Sequence, residues 1–141
     1  MSHVVRSLAA PRTLLWFVFA GALAFLVDVG VLHLLSTGWN VNLFLARACS
    51  FTCAATTAWM LNRAFTFSAN RKPPRGLLAE WTAYLAASLG GGCVNYAVFA
   101  LGVRWSPLLY ETPSLAVLIG TLAGMTFNFV MYAKYVFRVY G

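Results

Sequence analysis

Long apolar segments separated by short polar connectors are the dominant pattern along this chain. Four segments have the length of about 20 largely apolar residues that a helix needs to cross the hydrocarbon core of a bilayer. They are residues 14–35, 43–61, 81–103 and 114–133. Backbone amides in lipid must find hydrogen-bond partners within their own segment, so such segments form helices. The pattern therefore predicts an all-α integral membrane protein with four transmembrane helices, in a single membrane domain over residues 1–141.

The basic residues are distributed unevenly around these segments. Most of them lie at the N-terminus, in the connector 62–80, or at the C-terminal end. They are Arg6, Arg12, Arg63, Arg71, Lys72, Arg75, Lys134 and Arg138. Four spans place these three regions on the same side of the membrane, and cytoplasmic loops carry an excess of basic residues. We therefore predict that both termini and the basic connector 62–80 are cytoplasmic.

The composition supports the same class of protein. Hydrophobic residues make up 61% and charged residues 9% of the chain, against about 45–50% and about 25% in soluble domains. A soluble globular enzyme is thereby excluded. The net charge of +7 comes mainly from residues that flank the apolar segments, so we expect no nucleic-acid partner. The sequence contains no nucleophile with an adjacent base and no cluster of metal ligands, so we predict no enzymatic activity, metal or cofactor.

The two halves of the chain resemble each other. The second apolar segment runs into residues 61–67 (LNRAFTF), and the fourth runs into residues 131–137 (MYAKYVF). In the first and third segments, Asp28 aligns with Asn95. Such halves predict two helical hairpins of the same orientation, a parallel repeat. Transporters place polar sites at the interface between repeats.

Asp28 and Arg47 are the two Asp, Glu, Lys or Arg residues inside the predicted spans. A charged side chain at the bilayer centre costs roughly 2.5–3.5 kcal/mol on insertion scales, so each calls for a partner or a role. Both lie at similar depth below the predicted outer face, so we expect them to meet across the first hairpin. Three interpretations stay open: a structural ion pair, an Arg47 fork held by Asp28 that binds a phosphate or other anion, or a proton-coupling carboxylate in a drug antiporter.

Two amide residues in the spans are further candidates for binding. Asn95 lies at a depth close to that of Asp28, and Asn128 lies nearer the predicted cytoplasmic end of the fourth span. Intramembrane amides hold helices together in many proteins, at about 0.6 kcal/mol each. For Asn128 this structural interpretation is weighed equally with contact to a substrate.

Small residues spaced four apart occur in the third and fourth spans, and they predict close approach of these two helices. They are Ser88 and Gly92, and Gly120 and Gly124. We expect these faces to serve packing within the bundle. Four helices enclose little volume, however, so a homo-oligomer would help to accommodate a large lipid.

Taken together, these features resemble the GtrA-like family of small four-helix membrane proteins. The resemblance covers about residues 12–138. Its most specific part is the Asn-Arg-x-aromatic-x-Phe signature at residues 62–67, and the intramembrane Asp28 supports it. The resemblance implies translocation of a polyprenyl-phosphate-linked monosaccharide across the bacterial cytoplasmic membrane for cell-surface polysaccharide synthesis, often beside a membrane glycosyltransferase.

The family pattern also implies which residues contact the substrate. It transfers this role to Asp28, Asn62 and Arg63. The chain departs from the pattern at Ala58, where an Asn is usual one helical turn before the signature. In the second half, Tyr132 and Ala133 stand in place of Asn and Arg, with Lys134 as the nearest cation, so the role of Lys134 stays open.

The hypothesis that follows is a flippase in which only the sugar and the phosphate cross while the prenyl chain stays in lipid. Arg63 would receive the phosphate at the inner face and Arg47 nearer the outer face, and amides and hydroxyls would contact the sugar. The candidate substrate-binding residues are Asp28, Arg47, Asn62, Arg63, Asn95, Asn128 and Lys134.

Two alternative functions stay open. One is a proton antiporter of the small multidrug resistance type, and the other is a membrane anchor that recruits a glycosyltransferase through the connector 62–80.

Overall fold

The fold is a set of long helices. The computed structural model describes residues 10–68 and 76–139, and within these ranges it contains helices and turns but no strand. The helices are α1 (Pro11–His33), α2 (Leu43–Leu61), α3 (Leu77–Trp105), α4 (Pro107–Glu111) and α5 (Pro113–Met131). Three π-helical segments continue α1, α2 and α5, over Leu34–Gly38, Asn62–Thr66 and Tyr132–Val136. The prediction of an all-α protein is confirmed.

The start of α3 differs from the sequence prediction. The helix begins at Leu77, so the predicted connector 62–80 is wrong at its C-terminal end. Hydropathy placed the boundary at the charged Glu80, but this residue lies in the first turn of the helix and is buried. An acidic side chain there is favoured by the positive end of the helix dipole. The basic residues Arg6, Arg71, Lys72 and Arg75 lie outside the described residues.

The helices α2 and α5 end in the same way, as the repeat predicts. Each passes into a five-residue π-helical segment, and the closing backbone bonds run from Phe67 N to Asn62 O at 2.9 Å and from Phe137 N to Tyr132 O at 2.8 Å. The rings of Phe67 and Phe137 stack with their centroids 4.9 Å apart. The structure therefore reproduces the predicted register of the repeat at the ends of α2 and α5.

The chain forms two helical hairpins that run in the same direction. Helix α1 packs mainly on α2, and α3 packs mainly on α5. The hairpins join at the end where α1 and α3 begin and where α2 and α5 finish. We call this the aromatic end, and its core is formed by Phe17, Phe67, Tyr84, Tyr132 and Phe137.

Three helical stretches of the described residues are long and apolar enough to cross a membrane: Pro11–Gly38, Leu77–Trp105 and Leu115–Val136. Many of their large apolar side chains are exposed on the outside of the bundle, as expected for contact with lipid. Helix α2 does not belong to this set. It carries several polar side chains: Arg47, Ser50, Thr52, Thr56 and Thr57.

Close packing of α3 on α5 depends on glycines. A Cβ atom at Gly124 would lie 2.7 Å from the backbone oxygen of Gly91, so only glycine permits this approach. The sequence analysis placed Gly92 in the packed face, which is wrong: a Cβ at Gly92 meets nothing within 4 Å. One residue turns the helix surface by about 100°, and this rotation brings Gly91 against α5 instead.

We expect Gly124→Ala to destabilise the fold, because the added methyl group meets backbone that cannot rotate away. The expected loss is about 1–3 kcal/mol, as for overpacked cores. Thermal unfolding in detergent measures it. Gly92→Ala is the matched control and should leave the melting temperature unchanged or raise it slightly, since alanine favours the helix. Equal melting temperatures for the two variants would show that α3 and α5 accommodate the methyl group at residue 124 without loss of stability, which would contradict the prediction.

Candidate functional site

A cavity of about 520 Å³ lies between the two hairpins. Residues from all four long helices line it, and its volume falls within the range of about 300–1,000 Å³ found for small-molecule sites. Five of the seven predicted site residues line this cavity. They are Asp28, Arg47, Asn62, Asn95 and Asn128. Arg63 and Lys134 are not among its lining residues.

Asp28 and Arg47 form the expected ion pair across the first hairpin. Arg47 Nη1 donates to both carboxylate oxygens of Asp28, at 2.5 Å each. The same nitrogen lies 3.4 Å from the hydroxyl of Ser50, which in turn donates to the backbone oxygen of Arg47. The pairing offsets part of the cost of placing two charges within the bundle.

One edge of the Arg47 guanidinium stays available. All its hydrogen bonds among the described residues use Nη1, so Nε and Nη2 make none there. The side chain is 55% exposed, against 18% for Asp28. Two adjacent N–H groups in a plane match the oxygens of a phosphate or carboxylate. The site can therefore bind an anion without breaking the ion pair.

Asn62 lies at the opposite end of the cavity, about 22 Å from Arg47 along α2 at 1.5 Å per residue. Its amide nitrogen donates to the hydroxyl of Tyr84 at 2.8 Å, and its amide oxygen accepts from Thr66 at 2.7 Å. The Tyr84 ring stacks on that of Tyr132, with centroids 4.0 Å apart. Asn62, Tyr84 and Tyr132 are all buried. A buried, hydrogen-bonded network thus lines the aromatic end of the cavity.

Arg63 forms a second ion pair, at the surface of the aromatic end. Its Nε donates to Glu80 Oε1 at 2.8 Å, and the indole nitrogen of Trp59 donates to the same oxygen at 3.0 Å. The guanidinium also lies 5.8 Å from the centroid of the Trp59 ring, within cation–π distance. The sequence analysis placed Arg63 at the inner face as a receiver of phosphate and identified no acidic partner for it.

Glu80 belongs to a row of polar residues that the sequence analysis did not include among the candidate site residues. Glu80, Tyr84 and Ser88 are spaced four residues apart on α3, so they lie on one face of the helix. We call them the polar ladder. Ser88 Oγ lies 2.7 Å from the hydroxyl of Tyr132, and Glu80 and Tyr84 contact α2 as described above. Their spacing was a usable signal, and Tyr132 could have been found because it occupies the repeat position of Asn62.

The two amides on the second hairpin lie where α3 meets α5. Asn95 packs against Gly120, where a Cβ atom would come within 2.6 Å of its Oδ1. Asn128 packs in the same way against Gly91. Its Oδ1 is buried and has no hydrogen-bond partner among the described residues. Both residues line the cavity, so they combine a packing role with access to it.

The remaining candidates lie away from the cavity or supply no polar group. Lys134 is exposed, with Nζ 5.2 Å from the centroid of the Tyr135 ring. Ala58 is buried and lines the cavity, so the position where the family usually carries an Asn offers only a methyl group here. Within the described residues, no group of three His, Cys, Asp or Glu side chains is placed to hold a metal ion.

We expect the Asp28–Arg47 pair to stabilise the first hairpin. Asp28→Asn should lower the free energy of unfolding by about 1–3 kcal/mol, because a charged hydrogen bond is lost. Arg47→Gln should have a similar effect, and the double variant should lose less than the sum of the two. Unfolding in mixed micelles measures this cycle, with exposed His33→Gln as control. Strictly additive losses would show that the contact contributes nothing.

The chain matches the model of a known protein family. Residues 16–137 match the model of the GtrA/DPMS transmembrane domain, which covers most of the chain. No curated protein and no solved structure matches the chain significantly. The family match, together with the long apolar helices, identifies a multi-pass membrane protein. The resemblance inferred from the sequence is confirmed: the chain belongs to the GtrA/DPMS transmembrane domain family.

Proposed function

We propose that this protein translocates a polyprenyl-phosphate-linked monosaccharide across the bacterial cytoplasmic membrane, for glycosylation of a cell-surface polysaccharide. The observation that carries the proposal is the cavity between the hairpins, with Arg47 at one end and the Asn62 network at the other. Membership of the GtrA/DPMS family supports a role with polyprenyl-phosphate sugars. On this proposal the protein catalyses no covalent step.

The proposed topology has four spans, with both termini and the aromatic end on the cytoplasmic side. Helix α2 is included because it packs along α1 and its 19 residues are nearly long enough to cross the hydrocarbon. Arg12, Arg63 and Lys134 lie near the aromatic end, whereas Arg104 lies at the opposite end of α3. This excess of basic residues at one end supports a cytoplasmic location for it.

The main barrier to lipid translocation is the charge of the phosphate. A charge in hydrocarbon costs several kcal/mol, whereas a phosphate bound to a guanidinium is partly neutralised and doubly hydrogen-bonded. The free Nε and Nη2 edge of Arg47 supplies such a contact inside the bundle, and Asp28 fixes the side chain that offers it. The prenyl chain needs no site of its own, because it stays in the surrounding lipid.

The sugar requires polar contacts along the route. Asn95 and Asn128 line the cavity between its two ends, and Ser88 adds a hydroxyl near the aromatic end. Asn128 Oδ1 has no partner within the part of the chain that the structure describes, and on this proposal it accepts a hydrogen bond from a sugar hydroxyl after a small shift of its side chain. Membrane lipids, a membrane glycosyltransferase and a second copy of the chain complete the set of proposed partners.

The drug-antiporter alternative has less support from the geometry. Both oxygens of the Asp28 carboxylate are occupied by Arg47, so a cationic drug would have to displace an arginine from the same hairpin. The antiporter alternative predicts transport that requires a pH gradient and stops in Asp28→Asn. The anchor alternative depends on the connector 62–80, and residues 69–75 of it lie outside the described part.

Arg47→Gln should slow translocation of a labelled polyprenyl-phosphate sugar in reconstituted vesicles. We expect a loss of roughly tenfold or more, because a charged hydrogen bond is worth about 1.5–3 kcal/mol. Exposed Arg104→Gln is the matched control and should transport at the rate of the unmodified protein. Undiminished transport by inserted Arg47→Gln would remove Arg47 from the mechanism. Absence of transport by the unmodified protein would contradict the proposed function.

A further inference from the structure

The ion pair between Arg63 and Glu80 joins the two hairpins next to the cavity. We propose that it is a site of anion exchange: the phosphate of an incoming polyprenyl-phosphate lipid replaces the Glu80 carboxylate on Arg63 and thereby releases α3 from α2. Glu80 is then a positioning residue that keeps Arg63 oriented until a phosphate arrives. This inference rests on the proposed function, whose substrate supplies the phosphate.

The two partners differ in their access to the surface. The Arg63 side chain is 25% exposed, whereas that of Glu80 is only 3% exposed. A phosphate that approaches from the membrane interface therefore meets the cation before it meets the carboxylate. A buried carboxylate facing outward would repel it, but here the positive group lies between the phosphate and Glu80. The geometry favours arrival of an anion at this position.

The resident ion pair uses only part of the binding capacity of Arg63. The bond to Glu80 occupies Nε, and within residues 10–68 and 76–139 neither terminal nitrogen makes a hydrogen bond. Glu80 offers one oxygen and shares it with the indole of Trp59. A phosphate presents several oxygens to the planar guanidinium and forms a bidentate contact, which is stronger than a single bond. Exchange therefore replaces a weaker contact with a stronger one.

The position of the pair links this exchange to the cavity. The other ion pair, Asp28 with Arg47, lies within one hairpin and does not resist separation of the hairpins. Arg63 and Glu80 lie on different hairpins, and among the described residues three further side-chain bonds join the same two hairpins: Trp59 to Glu80 at 3.0 Å, Trp81 to Thr56 at 2.9 Å and Asn62 to Tyr84 at 2.8 Å. Helices in lipid lack a hydrophobic force that would hold them together, so these bonds, together with the aromatic packing of the two hairpins, stabilise the contact between α2 and α3.

The polar ladder carries the effect from Arg63 into the cavity. Tyr84 lies one turn after Glu80 on the same face of α3, and its bond to Asn62 lines the aromatic end of the cavity. Glu80 lies in the first turn of the helix, next to exposed Leu77 and Leu78. A small rotation of the start of α3, over the two turns that hold Glu80 and Tyr84, brings the released carboxylate to interfacial water and withdraws Tyr84 from Asn62. Lipid binding thus opens the end of the cavity at which the lipid arrives.

A cysteine at Ala55 reports this opening. Ala55 lines the cavity and is buried, so a thiol there is shielded until the cavity opens, and Ala55→Cys adds only one sulfur atom. The three native cysteines are exposed and are first replaced by serine. The full-length protein is reconstituted into vesicles. A membrane-impermeant maleimide is then added to one side or the other, and the labelling rate is measured from each side.

In this background, Glu80→Gln should raise the labelling rate from the side of the aromatic end by at least about fivefold, the lower range of coupling between linked sites. The rate from the opposite side should not rise. Glu111→Gln is the matched control, because it makes the same acid-to-amide change at an exposed position. Glu80→Asp keeps the charge and should restore the slow rate. An unchanged rate in folded Glu80→Gln would overturn the proposal.

Lipid added to the protein with Glu80 intact provides a second measurement, independent of the folding of any Glu80 variant. A long-chain polyprenyl phosphate should raise labelling from the aromatic end, whereas the uncharged polyprenol should not. Inorganic phosphate serves as a third probe: stimulation by it would show that the anion alone suffices, and its failure would show that the lipid chain is needed. Arg63→Gln should abolish the response. A polyprenyl phosphate without effect would overturn the exchange.

The outcomes separate this inference from the proposed function. Stimulated labelling without translocation of any polyprenyl-phosphate sugar would support the exchange and contradict the flippase. Translocation in vesicles whose labelling is indifferent to both Glu80→Gln and polyprenyl phosphate would support the flippase and contradict the exchange. Equal increases in labelling from both sides would show that Glu80 only stabilises the fold, which would also overturn the proposal.

Discussion

A charged side chain inside a helical bundle is costly unless it is paired, and two ion pairs in the described part of the chain meet this constraint. The chain has three acidic residues, and two of them are bound to arginines of α2 and its π-helical continuation. Asp28 ties Arg47 to α1, and Glu80 ties Arg63 to α3. Helix α2 is therefore fixed to its own hairpin at one end and to the other hairpin at the opposite end. The cavity lies between these two points of attachment.

The internal repeat supplies the scaffold, and the differences between its halves supply the chemistry. Both halves end in a π-helical segment with an equivalent backbone bond, and their final phenylalanines stack on each other. Asn62 and Tyr132 occupy the same repeat position, yet one donates an amide hydrogen bond and the other stacks on Tyr84. The arginine of the first half has an alanine as its counterpart. A symmetric framework thus holds an asymmetric set of polar groups.

Two kinds of helix contact occur in this molecule. Glycines bring α3 and α5 together, and the amides Asn95 and Asn128 pack against Gly120 and Gly91 in this interface. Between α2 and α3, the contact is limited to one end and consists largely of hydrogen bonds. Dispersion contacts between helices are lost gradually, but a hydrogen bond can be exchanged for another of similar energy. The hydrogen-bonded contact between α2 and α3 is therefore the part of the bundle suited to rearrangement.

The sequence alone determined the helical class, the bounds of α2, the repeat register and the pairing of Asp28 with Arg47. These follow from local rules: hydropathy, the length of a span, and the cost of an isolated charge in lipid. Only the tertiary structure decided that Arg63 is paired with a buried Glu80, that Gly91 instead of Gly92 faces α5, and that Arg63 and Lys134 lie off the cavity. These facts depend on the rotation of one helix against another, and that rotation is set by packing between residues distant in the chain.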